Sequence, residues 1–595
     1  MDQSLQRAFA TGFERLAAWS DLLDAINIYP VADGDTGRNL VISLSPLHRI
    51  RTRAETIIQQ LLVSATGNSG NIAVGFFAGF VANYPSGGIR QAVDAGRQKA
   101  WGAIADPQPG TMLTVFDELS QCVERFSGIP SGVFFPGLIE QLEAAVYSTA
   151  ETLPALKTAG VIDSGALGMF LFMEGFFSRL DELPYEFRPV TEIFGSKLHL
   201  PHNFSGDDSP RGFCVDTVIR MNPDTYRPIG NLPELGDSLV VHQENERVKI
   251  HIHTEQREAV RQQVEQVGEV ERWSEEALKS TLRPGSSASQ RQAIHIVTDA
   301  AGSISREDVA ELGITVLASY IIVGDQSLPE TMFPPDELYA LMRRGVRVTT
   351  AQASVFERHQ CCQSILGRHS HSLYLCVGSA YTGNYAVVAA WKKGHDPEDR
   401  LRVIDTGSAS GRLGIAARAS ARFAQQAATA EHVFRFAEAA VRMSEEYIFL
   451  ERLQYLAAGG RLSKTKGFLG DLLHMRPVIT PAPEGALKVA TLRSKSEQVE
   501  FALSKLEQNL GPADGALIML EYSDNREWVE KTVLAPVRNR YASAEIILCP
   551  LSLTSAVHMG PGTWAVAFLP AGGNTPWKTR TGADSRDRAL RPTLR

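Results

Sequence analysis

Asp33 and Asp35 stand one glycine apart in the string Asn27-Ile-Tyr-Pro-Val-Ala-Asp-Gly-Asp-Thr-Gly-Arg-Asn39. Two carboxylates at that spacing can set hard oxygen ligands on one small cation, and magnesium carrying nucleotide phosphates takes one or two such ligands. The plainer alternative is an Asp-Gly turn, which the same residues also favour. Two further loops, Thr66-Gly-Asn-Ser-Gly70 and Gly110-Thr-Met-Leu-Thr114, place glycines beside hydroxyls and expose backbone N–H groups, as a phosphate cradle requires.

A second constellation lies in Val248-Lys-Ile-His-Ile-His253. Strand alternation puts Val248, Ile250 and Ile252 on one face and His251 and His253 on the other, where two imidazoles can chelate one ion. Cys214, on another candidate strand, can supply a thiolate, giving a Cys-His-His set with a fourth position open. A pair of half-exposed strand histidines is the alternative.

The elements that must position these residues fall into three territories. Residues 1 to about 195 are read as helical, because Leu5, Phe9, Phe13, Leu16 and Leu23 recur at one-face helical spacing. From about 205 to 285 the period becomes two. Gly212–Ile219 is one candidate strand, Asp237–His242 and Arg247–His253 form a hairpin, and Glu255–Leu282 is predicted to be helical. The Arg283–Gln290 stretch has linker composition. From Ala293 onward, short apolar strands (294–297, 372–377, 402–404, 516–520, 545–548) alternate with helical segments. That alternation predicts an α/β domain with a largely parallel sheet, whose ligands bind beyond the carboxyl ends of the strands. The tail from Gly573 is polar, arginine-rich and predicted to be disordered.

The 595 residues, 44% apolar and 21% charged, suit a globular protein of about three or four domains. A net charge of −8 argues against a general nucleic-acid binder. Six cysteines (Cys122, Cys214, Cys361, Cys362, Cys376, Cys549) are scattered rather than set out as a disulfide framework, which fits a reducing cytoplasm. Neither a secretory leader nor an uninterrupted apolar span is read, since Val161–Phe177 contains Asp163, Ser164 and Glu174.

Five strings in register (Asn27–Asn39, Gly67–Gly70, Lys99–Ala103, Pro109–Val115 and Ala159–Gly165) resemble the kinase domain of bacterial fatty acid kinase, related to the ATP-binding subunit of dihydroxyacetone kinase. The resemblance implies an all-α helical barrel over 1–200 that holds ATP, with Asp33 and Asp35 on Mg2+. It places Thr36, Asn39, Gly67, Asn68, Ser69, Gly70, Thr111, Met112 and Asp163 around the nucleotide. Asn27 stands where the dihydroxyacetone kinases have a third aspartate, and Gly165-Ala166 replaces a double glycine. Residues 205–285 resemble the small α+β middle domain of the same kinases, which implies zinc on Cys214, His251 and His253.

Residues 291–572 resemble the DegV family of fatty-acid-binding proteins through Val297-Thr-Asp299, Thr350-Ala-Gln352, Gly378–Tyr385, Val403-Ile-Asp405, Leu456–Arg461, Met475–Val478, Arg493 and His558-Met-Gly-Pro-Gly562. There the hydroxyls of Thr350, Ser379 and Thr382 suit a carboxylate or acyl-phosphate head group. Arg461 and Arg493 suit phosphate charge, and His558 can orient the head group or pass a proton. Two departures, Ala351 and Asn384, remove hydroxyls from the family strings.

Together the resemblances imply a fusion that phosphorylates a fatty acid held in its own C-terminal domain, with Asp33, Asp35, His558 and Arg461 acting in catalysis. They imply a cytoplasmic homodimer, transiently at the inner membrane face, that passes acyl phosphate to a glycerol-phosphate acyltransferase. A dihydroxyacetone-type small-molecule kinase and a non-catalytic, nucleotide-regulated lipid carrier or sensor are the competing expectations.

Overall fold

The computed structural model describes residues 3–125, 131–180, 185–200, 212–221, 231–278, 294–427, 429–458, 476–510 and 515–571. The expected linker at 283–290 and the tail from 573 lie outside these residues. The chain divides into two compact units. One comprises Met1–Ser289 with Ile322–Leu328 and Ala353–Arg368; the other comprises Gln290–Ile321, Pro329–Gln352 and His369–Arg595.

Among the described residues, the first unit opens with helices only, up to Leu198. Helix Gln3–Ala17 buries Leu5, Phe9, Phe13 and Leu16, the stripe its periodicity predicts. It lies directly on helix Ser164–Leu180. A Cβ on Gly175 would sit 2.7 Å from the Thr11 carbonyl oxygen, and one on Gly12 would sit 2.6 Å from that of Phe172. Glycine at both crossing points lets the two backbones touch. Phe9, Phe77, Phe80, Phe172 and Phe176 fill the space alongside, with Phe77 and Phe172 ring centroids 4.5 Å apart. The long helical segment Gly67–Ala103, bent at Gly88 (φ 64°), is the one described helix long and apolar enough to cross a bilayer. More than half of its most apolar window is buried inside this unit, as befits a core helix.

Helix Val355–Arg368, though late in sequence, belongs to this unit. Ser354 Oγ donates to Glu14 (2.8 Å), Arg368 pairs with Asp21 (2.8 Å), and Gln363 Nε2 donates to the Phe187 carbonyl (2.7 Å). Beneath it Arg15 and Glu174, both wholly buried, form an ion pair through Nε (2.7 Å) and Nη2 (2.5 Å). Gln360 accepts from Arg15 Nη1.

The rest of the unit is a four-stranded antiparallel sheet in the order β2-β3-β1-β4, with β1 Phe213–Met221, β2 Asp237–Glu244, β3 Arg247–Thr254 and β4 Gly268–Ala277. Helix Arg257–Val267 covers one face through Val260 and Val264, packed on Val215, Ile250 and Ile252. Against the helical expectation for Glu255–Leu282, the helix stops at Val267, and Gly268–Ala277 pairs along β1. The glutamates of that stretch favour helix locally, but β1 offers an open edge and Val270 and Trp273 pack on the sheet core.

The other face of the sheet meets the long helix. His242 Nε2 lies 2.7 Å from the Asn71 carbonyl oxygen, and a Cβ on Gly75 would come within 2.5 Å of the His242 ring. His251 and His253 are therefore buried, 0% and 5% exposed, rather than half-exposed strand residues.

The second unit has a parallel sheet in the order Leu401–Asp405, Ser372–Cys376, His295–Asp299, Thr315–Leu317. Contrary to the largely parallel expectation, the larger sheet is mixed. Its order is Leu487–Leu492, Arg476–Thr480, Glu445–Phe449, Trp564–Leu569, Leu517–Tyr522, Glu545–Pro550, and only the last pair runs parallel. Apolar strand runs alone do not distinguish the two directions.

Candidate functional sites

In the first unit, Asn27 to Asp35 link two helices and lead into helix Thr36–Leu44. Gly34, at φ 67°, lets the chain turn between the two aspartates. The helix N-terminus is capped from a distance, by Asp24 Oδ1 accepting from the N–H groups of Gly37 (2.6 Å) and Arg38 (3.2 Å). Asp35, at the N-cap position, has no capping bond of its own and is left facing the cavity.

Asn27 Nδ2 donates to Asp33 Oδ1 (2.6 Å), and Ser164 Oγ ties Asn27 (3.3 Å) to Thr36 (3.1 Å). The residue standing in place of a third aspartate thus orients Asp33. Burial and the charge of Asp35 push the Asp33 carboxyl up to about 8, and burial raises Asp35 as well. Two carboxyls so close share a proton until a divalent cation lets both ionise, so the donor set fits Mg2+.

Asp33, Asp35, Thr36, Asn39, Gly67, Asn68 and Ser69 line one cavity, together with Asn27, Tyr29, Pro30 and Val31. Its floor is the N-terminus of the long helix, where N–H groups suit phosphate. Gly67 is required there, with φ 65° and room for a Cβ only 2.0 Å from Asn39 Nδ2. Four predicted nucleotide residues stand outside this lining. Gly70 packs on Ser43, and Thr111 Oγ1 donates to the Gln108 carbonyl. Met112 is buried against Gly165. Asp163, its carboxyl pushed up to about 7 by burial, caps helix Ser164–Leu180 through the Ala166 N–H (2.7 Å).

On the adjoining sheet, β1–β3 pairing sets Cys214 opposite His253 and Asp216 opposite His251. The candidate ligand atoms of Cys214, His251 and His253 lie within 4.8 Å of one another, and Cys214 and His253 line the same cavity as the aspartates. His251 Nε2 and His253 Nδ1 are buried without a hydrogen-bond partner. Burial, with His251 beside it, pushes His253 down to about 3, so it is neutral, as a metal ligand must be. Burial and nearby acids push the Cys214 thiol up, a tendency a bound cation reverses. Two orphaned imidazole nitrogens beside a thiol fit a soft divalent ion such as Zn2+.

The second unit holds a cavity of about 140 Å³. Ala301, Val377 and Ala409, just past the carboxyl ends of three parallel strands, form part of its wall, and Ile448, Leu456 and Ile479 supply apolar lining. Thr350 Oγ1 and His558 Nε2 meet there at 3.0 Å, with Thr382 nearby. Ser379 stands outside the lining, its Oγ donating to Asp405 (2.6 Å). Arg493 is exposed and also outside the lining, and Arg461 lies outside the described residues. Asn384 turns inward, donating to buried Asp299 (2.8 Å), so its departure from the family string serves the fold beneath the cavity.

Sequence reasoning missed Gln352, which lines the cavity and accepts from the Gly383 N–H (3.0 Å), although it stands inside the quoted Thr350-Ala-Gln352 string. It also missed Glu330, which accepts from Thr554 Oγ1 at the cavity wall and whose carboxyl burial pushes up to about 7. A carboxyl raised on folding stabilises fully below its unfolded value of 4.5 and loses that contribution as pH rises to about 7. We expect Glu330→Gln to flatten the pH dependence of this unit's stability across that window, by about 3 kcal/mol. Calorimetric melting at pH 5, 6 and 7 checks it; parallel slopes for both proteins would refute it.

Three family models match the chain in order: the DAK2 domain over residues 30–178, the middle domain of proteins like the A component of fatty acid kinase over 211–283, and the DegV family over 293–571. The protein is thus a multidomain chain in which regions matching a DAK2 domain, a fatty-acid-kinase-like middle domain and the DegV family follow one another in one polypeptide. An uncharacterised Staphylococcus aureus protein (strain bovine RF122 / ET3-1) is 28% identical over 347 residues, covering 53% of this chain and 63% of that relative. Among solved structures, a Thermus thermophilus DegV family protein described as fatty acid binding shares 22% identity, and Bacillus subtilis DegV, described as a fatty acid binding protein, shares 17%. Each has a TM-score of 0.43 and is covered completely by 47% of this chain.

Proposed function

We propose that the chain is an ATP-dependent fatty acid kinase acting on a fatty acid carried by its own DegV-family domain. The observation that carries this reading is the cavity of the first unit, where a half-buried aspartate pair faces a helix N-terminus in a DAK2 domain joined to a fatty-acid-kinase middle domain.

Asp33 and Asp35 would hold Mg2+, which when bound neutralises phosphate charge, where phosphoryl transfer gains most of its rate. Asn27 keeps Asp33 turned toward the cavity, and the N–H groups of Asn68 and Ser69, at the start of the long helix, are placed to donate to phosphate oxygens. In the second unit Thr350 and His558 hold the carboxylate end of the acyl chain, with the apolar walls taking its tail. A carboxylate oxygen attacks the γ-phosphorus, the bond to the ADP oxygen breaks, and acyl phosphate and ADP leave. Cys214, His251 and His253 would hold zinc, which would supply positive charge beside the cavity that Cys214 and His253 line. The product is an activated acyl group suited to an acyltransferase that acylates glycerol phosphate. A cytoplasmic homodimer working near the membrane is part of the same reading.

Native mass spectrometry of the purified full chain, before and after ATP and Mg2+, tests it. A bound fatty acid that gains one phosphate is the expected result. Lipid that binds but never gains phosphate would point to a carrier or sensor. Phosphorylation of dihydroxyacetone without lipid would point to a small-molecule kinase.

A further inference from the structure

Asp216 sits on β1, two residues beyond Cys214, and is 6% exposed. Its carboxylate has partners on two sides. Toward the nucleotide loop, Oδ2 accepts from the Gly67 N–H (2.9 Å) and Thr66 Oγ1 (3.4 Å), and Oδ1 accepts from Asn71 Nδ2 (3.0 Å). Toward the metal-ligand strands, Oδ1 pairs with Lys249 Nζ (2.9 Å) and Oδ2 faces His251 Nδ1 (3.4 Å). Each oxygen therefore serves both sides. The Lys249 ammonium, itself buried, supplies the counter-charge to this buried carboxylate.

Neither side has slack. The Thr66–Gly67 peptide is locked by the left-handed Gly67 and by Asn39 against it. Asn71 Nδ2 also donates to the Gly67 carbonyl (2.7 Å), closing a ring of bonds around the loop. His251 directs Nδ1 at Asp216 and leaves Nε2 buried without a partner, and a carboxylate behind a ligating imidazole sets its ring orientation and basicity. A shift of the ring on metal binding moves the carboxylate, and a shift of the carboxylate moves the Thr66–Gly67 peptide that positions the Asn68 and Ser69 N–H groups after it.

We propose that Asp216 is a positioning residue that couples metal occupancy of the Cys214–His251–His253 set to the geometry of the Thr66–Gly70 loop, so that metal and nucleotide bind cooperatively. This rests on reading the first cavity as the nucleotide site. Linkage requires the coupling to be reciprocal: the factor by which metal tightens nucleotide equals the factor by which nucleotide tightens metal.

The test uses the full chain, stripped by chelation and reloaded with Zn2+ or Co2+. The affinity for Mg2+–AMPPNP is measured calorimetrically with and without metal, and Co2+ affinity is followed by its thiolate charge-transfer absorption with and without nucleotide. In the native sequence each ligand is expected to tighten the other by the same factor, at least about fivefold. In Asp216→Asn, which keeps the shape but not the charge, both ligands still bind and that factor falls to within about twofold of unity. Asn71→Ala, which spares the Asp216–Lys249 pair, lowers the factor even if the first variant folds poorly. Equal nucleotide affinity with and without metal in the native chain, or undiminished coupling in both variants, overturns the proposal while leaving the nucleotide site standing. No nucleotide binding in any form overturns the site reading and the proposal with it.

Discussion

Asp33→Ala and Asp35→Ala are each expected to lower acyl phosphate formation at least about 10³-fold, the loss that follows when several kcal/mol of metal-borne charge stabilisation is removed. The expectation is this large because the two carboxylates converge on one cavity and neither caps the helix that follows them. The nearby helix N-terminus is capped by Asp24, and Asn27 is spent on orienting Asp33. Two like charges in one buried cavity burden the metal-free fold, so Asp33→Asn should raise the melting temperature measured in EDTA. Added Mg2+ with nucleotide should raise that of the native chain and leave the variant unchanged. Steady-state assays with ATP, Mg2+ and fatty acid, alongside melting curves with and without the divalent ion, check both halves. Full activity in either alanine variant would sink the assignment.

The second large effect concerns stability. Glu174→Leu should destabilise the helical unit by about 3–5 kcal/mol, because it leaves the Arg15 guanidinium buried with its main counter-charge gone. The remaining partners of Arg15 are neutral: Gln360, the Arg188 carbonyl (3.2 Å) and the face of Phe187, 4.6 Å from the guanidinium carbon. The Tyr185 hydroxyl, which now donates to Glu174 (2.8 Å), loses its acceptor too. The double variant Arg15→Met/Glu174→Leu should recover most of the loss, since a buried ion pair is worth little over an apolar pair of similar size. Urea unfolding of the native chain and the two variants decides it; a double variant as unstable as Glu174→Leu would contradict the argument.

Much of this was legible in the residues, and what was not has physical causes. Phe9 and Phe13 announce their helix because packing and periodicity agree. Asp33-Gly-Asp35 and His251-x-His253 are legible because chemistry fixes their local spacing. Gly268–Ala277 was misread as helix because local propensity is silent about the free edge that β1 presents. Asp216 was invisible for a related reason: Cys214, His251 and His253 advertise themselves by type, whereas a lone strand aspartate gains meaning only when Gly67 and Asn71 arrive from about 150 residues away. Thr111, Met112 and Asp163 share strings with the nucleotide site yet stand outside its lining, since a string reports neighbourhood and not direction. Ser379 and Arg493 make the same point in the second unit, where the hydroxyl of one is taken by Asp405 and the other faces solvent.

Helix Val355–Arg368 carries a consequence for how such a chain can be divided. The DegV-family match runs unbroken through it, yet its side chains complete the first unit, covering Arg15 and meeting Asp21 and Phe187, while Ser354 just before it meets Glu14. Cleavage near residue 290 would separate the DAK2 and middle-domain regions from the DegV-family region and at the same time uncover a buried guanidinium in the N-terminal piece. The C-terminal piece would keep a helix whose hydrogen-bonding partners had been left behind. The seam that ancestry draws along the polypeptide and the seam along which it would come apart are different lines, and a fusion knit in this way is difficult to reverse by simple fission of its gene.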